Sequence, residues 1–498
     1  MRKYMRIIKW ALIIIAVAYA LLLIPDRDQN ASSVRGTPQK KQPFAWNQDA
    51  YWDTLEAKYK ELMKAGCKDM SIVIDADIVR LNALTGAMRR QPLSPDSKVF
   101  TELEQQMFKT GPLVAGCKML LPEYVRAMTE LRAVVKKQSR DWDMGSDIAR
   151  TTLYRLLYGS RAAEEEIILQ APQESAPLAL TMGTDEPSQT PSVTVRGVKV
   201  HSGDILASRG GAPTSALIAR GNDFPGNFSH IALLYVDPGT RQPKLIESHI
   251  EQGVVVSSFE EYIKDKKLRI MVLRLRADLP LLRKDPMLPH KAAELALKNA
   301  TERHIPYDFE MDYKEHSKLF CSEVASAAYE PYGVTLWMGI SHISSPGLRK
   351  WLSAFGVTHF ETQEPSDLEY DPQLVVVAEW RDPETLRKDH MDNAVTEVML
   401  EGAERGDELT YPWYLLPVAR VMKGYSMVLN LLGRIGPVPE GMSATGGIRT
   451  TYYMKKHDAI YGRLALKTQE FKMKNGYEPP YWEMVKLARA AKNEMEKK

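Results

Sequence analysis

The residues best suited to chemistry in this 498-residue sequence are one cysteine, one histidine and one carboxylate. Cys321 lies in KLFCSEVASAAY, directly before an expected helix, where unpaired backbone N–H groups and the helix dipole would stabilise a thiolate. His230 opens the apolar run HIALLYV after a turn-rich stretch, which places an imidazole at a strand end. Glu247 closes the next run, PKLIES, and the short DPGTRQ turn between the runs predicts an antiparallel hairpin. That hairpin brings the start of the first strand beside the end of the second, so Glu247 can orient His230 while His230 takes the thiol proton of Cys321. His249 competes for the orienting role, because two residues beyond Glu247 it falls on the same strand face. Signals for other chemistries are missing: the sequence has no phosphate-binding loop, G-x-S-x-G elbow, H-E-x-x-H or dinucleotide glycine motif.

The elements around these residues come in blocks. Between 198 and 382, short β-rich runs (GDILAS, HIALLYV, PKLIES, GVVVSS, IMVLRL and LVVVAEW) are interleaved with expected helices at HKAAELALKNATE and SEVASAAYE, an α+β pattern. Residues 44–170 carry helical periodicity, as in Tyr124, Met128, Leu131 and Val135. A Pro-rich linker is expected at 171–197 and a partly amphipathic, basic helical region at 383–498. Within the latter, the aromatic and aliphatic stretch 411–432 is expected to pack on the α+β region, with a helix lying on a membrane as the alternative.

Arg2, Lys3, Arg6 and Lys9 precede the uncharged run WALIIIAVAYALLLIP, the layout of a signal anchor. The expectation is a transmembrane helix over 1–25, a polar linker over 26–43, and the bulk of the chain outside the cytoplasm, periplasmic in a Gram-negative cell. Cys67 and Cys117, in matching Ala-Gly-Cys-Lys contexts, can pair there, leaving Cys321 as the odd thiol. A formal net charge of +3 excludes a general nucleic-acid footprint.

Five blocks in order, Ser202-Gly-Asp-Ile-Leu206, Phe228-Ser-His-Ile-Ala-Leu-Leu-Tyr235, Leu245-Ile-Glu247, Ile305-Pro-Tyr-Asp-Phe309 and Leu319-Phe-Cys-Ser-Glu-Val324, resemble the permuted, NlpC-type papain-like cysteine hydrolases of the YiiX-like branch over residues 198–382. The resemblance implies a circularly permuted papain-like domain flanked by helical regions. It implies Cys321 as nucleophile, His230 as general base, Glu247 as its orienting partner and Tyr307 as an oxyanion donor, with Asp204 structural and no metal or other cofactor. Amide cleavage on cell-wall peptides is the expected activity. Acyl-lipid substrates, through an amidase, thioesterase or acyltransferase, and an inactive binding module are the alternatives. The stretch 330–345, which includes His342, is expected to line or cap the groove.

Overall fold

The computed structural model describes residues 2–24, 50–67, 71–171 and 180–497. The expected polar linker 26–43 and the prolines at 172 and 177 lie outside the described residues. After helix α1 (Arg2–Leu22), a helical layer comprises α2 (Ala50–Ala65), α3 (Ser71–Met88), α4 (Lys98–Gly116), α5 (Leu121–Gln138) and α6 (Asp147–Gln170). The α5 stripe Tyr124, Met128, Leu131 and Val135 is buried in one core with Leu103, Met107 and Leu153. The Cys67–Cys117 disulfide, with Cα atoms 5.0 Å apart, joins the end of α2 to the end of α4.

The α+β region begins with β1 (Leu180–Met182), β2 (Ser192–Val195), β3 (Val198–His201), β4 (Ile205–Gly210), α7 (Pro213–Arg220), β5 (His230–Val236), β6 (Pro243–His249), β7 (Gly253–Ser258) and α8 (Phe259–Lys264). It continues through β8 (Lys267–Leu275), α9 (Pro280–Lys284), α10 (Leu288–Glu302), α11 (Glu323–Tyr329), β9 (Ser341–His342), α12 (Pro346–Phe355), β10 (Glu361–Thr362) and β11 (Leu374–Arg381). Helices α13 (Pro383–Glu404), α14 (Leu416–Leu431), α15 (Ala444–Asn475) and α16 (Tyr481–Glu496) follow. Seven strands form an antiparallel sheet in the order β1-β11-β8-β4-β5-β6-β7. Alternating residues feed opposite faces: Ile231, Leu233 and Tyr235 pack toward α10 and α11, whereas Ala232, Leu234 and Val236 pack with Phe259 and Tyr262 of α8.

Three expectations change. Residues 171–197 contain β1 and β2, and β1 pairs with β11 at the sheet edge; a three-residue strand is too short to show a period of two. Among the described residues no helix is long and apolar enough to cross a membrane, which corrects the expected N-terminal transmembrane helix. Helix α1 already includes Arg2, Lys3, Arg6 and Lys9. Its uncharged remainder, Trp10 to Leu22, is about 20 Å long at ~1.5 Å per residue, against ~30 Å of hydrocarbon. Finally, α14 packs on α15 and α1 rather than on the sheet. Arg420 donates to the carbonyls of Leu21 and Ile24, and Trp413, Val421, Tyr425 and Leu431 remain exposed.

Buried charge joins the helical layer to the sheet. Arg161 on α6 pairs with Glu369 and Glu379, Arg381 on β11 with Glu164, and Arg269 on β8 with Glu165 at 2.5 Å and Asp389 of α13 at 2.5 Å. Arg269 and both its partners are shut off from water. Deleting Arg269 leaves Glu165 to Arg381 and Asp389 to Arg209, so buried negative charge is undercompensated. Arg269→Ala is therefore expected to cost about 3–5 kcal/mol of unfolding free energy, read as a lowered urea midpoint against wild type.

Candidate active site

The hairpin β5–β6 assembles as its pattern predicts, with Ala232 opposite Glu247 and Val236 opposite Pro243. His230, diagonal to Glu247 on the same face, places Nε2 2.8 Å from Glu247 Oε2. A carboxylate only accepts, so Nε2 carries the proton and Nδ1 keeps the lone pair of a neutral ring. The other oxygen of Glu247 accepts from Ser257 Oγ on β7 at 2.7 Å. Ser257 is also a diagonal neighbour, since Glu247 faces Val255. Its place in GVVVSS, alternating onto the same face as Glu247, is the sequence signal for it.

His249 Nε2 approaches the same Glu247 oxygen at 3.2 Å. The structure thus brings His249 to the carboxylate rather than to the place of the carboxylate, so the two candidates for the third role do different things. Burial would raise the Glu247 carboxyl, but the hydrogen bond from His230 and the close approach and charge of His249 hold it far below the usual range. Burial also tends to lower His249, yet Glu247 outweighs it and raises that imidazole. For His230 the balance falls the other way: burial wins over the Glu247 hydrogen bond, and its pKa is lowered.

Cys321 sits two residues before α11, and its thiol is buried. Sγ lies 3.9 Å from the carbonyl of Ser229, and the N–H of Ile231 also points to it, so the sulfur rests against the backbone on both sides of His230. Segment 319–321 is tied to the hairpin by Ser248 Oγ, which donates to the Leu319 carbonyl at 2.6 Å. The expected stabilised thiolate is corrected here: burial pushes the thiol up to about 11, with the amides of Ile231 and Ser322 opposing only in part. A seven-residue helix supplies little dipole against that desolvation.

Tyr307 arrives on the segment after α10. Gly253 begins β7 with φ of 74°, and a Cβ there would stand 2.1 Å from the Ile305 carbonyl. Only glycine permits this approach, which lets Val254 N–H donate to Ile305 at 2.9 Å and so sets Tyr307 near the sulfur. Burial first, and then the neighbouring Cys321, push the phenol well above its ordinary value, so it stays a donor. Asp204, read as structural, is buried and binds Arg274 through both oxygens at 2.8 Å. His342, expected near the groove, is exposed and pairs with Glu361 at 3.6 Å.

Comparison with known proteins agrees on this segment. Residues 199–378 match the family described as permuted papain-like amidase enzymes, YaeF/YiiX. Every residue named above, from His230 to Cys321, lies within this matched segment, a mixed helix and sheet region similar to that amidase family. No curated protein matches the chain. A crystal structure titled as metalloprotein yiiX from Escherichia coli is similar at 20% identity, covering 36% of this chain and 97% of its own, with a TM-score of 0.30.

Proposed function

We propose that the protein is a cysteine hydrolase that opens amide bonds through an acyl-enzyme on Cys321. The observation that carries this reading is the Cys321 sulfur lying against the backbone of Ser229 and Ile231, the chain neighbours of His230, while His230 Nε2 is held by Glu247. Thiol and imidazole rest neutral. As sulfur attacks the carbonyl carbon, His230 Nδ1 takes the thiol proton, and the imidazolium is stabilised by Glu247. Tyr307 donates to the oxyanion together with backbone amides near Cys321. His230 then returns the proton to the leaving amine, and a water activated by the same nitrogen hydrolyses the thioester and restores the thiol.

The Cys67–Cys117 disulfide supports an oxidising, extracytoplasmic location, where cell-wall peptides are the available amides. A second reading, acyl-lipid amides, is favoured by the exposed apolar side chains that α1 and α14 share, among them Ile14, Val17, Val421 and Leu431, a surface suited to lie on a lipid headgroup layer. Short peptide amides and long-chain acyl amides, each assayed with and without anionic vesicles, separate the two. The peptide reading expects turnover of short soluble amides indifferent to vesicles; the lipid reading expects turnover of acyl amides only with vesicles. No Cys321-dependent turnover of either class leaves the chain as a binding module.

A further inference from the structure

Three ligand atoms of metal-binding type converge at the open end of the β5–β6 hairpin. His230, Glu247 and His249 each contribute one, and all lie within 4.8 Å of one another. His230 is the first residue of β5 and His249 the last of β6, so extending the register by two places makes them cross-strand partners. Their ring centroids are 5.5 Å apart. Two imidazoles and one carboxylate are a ligand set that zinc uses where a fourth position stays open. The spacing suits it: bonds of ~2.1 Å in a tetrahedron put ligand atoms about 3.4 Å apart, and here Glu247 Oε2 lies 2.8 Å and 3.2 Å from the two Nε2 atoms.

A second observation points the same way. His249 Nε2 is shielded from solvent yet makes no well-formed hydrogen bond, its approach to Glu247 being misaligned. The two rings are 17% and 28% exposed above a carboxylate only 2% exposed, so an ion can enter from water onto a buried anionic floor. The opposing charge, Lys267, is itself paired with Asp265 at 2.8 Å, and Glu251 adds negative charge beside His249.

We infer that His230, Glu247 and His249 bind one divalent transition-metal ion of the Zn2+ kind, and that the bound ion switches the thiol site off. The switch rests on the proposed function; the binding does not. Coordination at Nε2 requires that nitrogen's lone pair, so the single proton of a neutral His230 ring moves to Nδ1. Any proton on His249 is released to solvent. Nδ1, the atom that serves as base in the proposed mechanism, then donates instead of accepting, and the thiol loses its base. Imidazole ligands favour Zn2+ or Co2+ over Mg2+ or Ca2+.

The test uses the full chain, stripped with a chelator and titrated with Co2+ and then Zn2+. One Co2+ per chain with the absorption of a four-coordinate site, displaced by Zn2+, is the expected result. Cys321→Ser should bind as wild type does, whereas His249→Asn should bind at least tenfold more weakly. Zn2+ should slow alkylation of Cys321 in wild type and fail to do so in His249→Asn at the same concentration. Absence of stoichiometric binding, or equal binding by His249→Asn, overturns the site. Loss of binding in Cys321→Ser relocates it to the thiol and also overturns it. Unchanged alkylation with Zn2+ bound overturns the switch, and alkylation indifferent to His230→Ala instead contradicts the proposed hydrolase mechanism while leaving the metal site standing.

Discussion

His230→Ala is expected to lower kcat/KM for amide hydrolysis by about 10²–10⁴-fold and to leave KM and the circular dichroism spectrum near wild type. The reasoning starts from the sulfur. A thiol pushed up to about 11 is almost wholly protonated at neutral pH, roughly one part in 10⁴ being thiolate at pH 7. Attack therefore depends on a base that removes the proton as the carbon–sulfur bond forms. His230 is the group proposed to meet this need: its Nε2 proton is held by Glu247, which leaves the Nδ1 lone pair to accept, and burial lowers its pKa. Among the described residues its ring makes one hydrogen bond, to Glu247, which keeps Ser257 and His249 as partners when alanine removes the base. Glu247→Gln should lose far less, since an amide oxygen still accepts from Nε2 and preserves the tautomer. A His230→Ala enzyme within a few-fold of wild type would remove His230 from the mechanism.

The second large effect concerns pH. In the proposed mechanism the active pair is neutral imidazole with neutral thiol, so activity should fall on the acid side as His230 gains a proton and on the alkaline side as Cys321 loses one. Because burial lowers His230 below its ordinary 6.5 and raises Cys321 to about 11, kcat/KM should stay flat from below pH 6.5 to near pH 11. An enzyme resting as a thiolate–imidazolium pair would instead have a thiol titrating well below ~8.5. Glu247 is the group that raises His230, so in Glu247→Gln the acid limb should move to still lower pH. Stability follows by linkage. Glu247 is held below its unfolded value, so its contribution is present above about pH 4.3 and is lost as pH falls. Glu247→Gln should accordingly unfold with a weaker dependence on acid than wild type.

Much of this site was legible because its chemistry sits on short-range geometry. A period-two run, a Pro-Gly turn and a second period-two run suffice to bring the His230 end of β5 beside the Glu247 end of β6, although the register pairs Glu247 with Ala232 and leaves His230 diagonal to it. The position of Cys321 ahead of α11 was equally local, as was the helical stripe from Tyr124 to Val135. The proton state of Cys321 was not legible. Helix position argues for a thiolate, and only the three-dimensional packing of β5 against the sulfur reveals the desolvation that opposes it. The division of labour between Glu247 and His249 was hidden for the same reason, since both occupy one face and sequence cannot rank their reach. Ser257 and the Arg269–Glu165–Asp389 cluster depend on contacts among elements far apart in the chain, and α6 reads from its sequence as an ordinary polar-faced helix. At the N-terminus, the apolar run was plain, but the helix that contains it starts inside the basic residues and leaves too short a remainder to cross hydrocarbon.

The most direct test of the central claim is intact-mass analysis of the protein quenched in acid after mixing with an activated acyl ester or amide. The account predicts a mass increase of one acyl group, located by peptide mapping on Cys321, absent in Cys321→Ala and accumulating much more slowly in His230→Ala. Turnover of the same substrate by Cys321→Ala at the wild-type rate, or acylation mapped to any other residue, would contradict it.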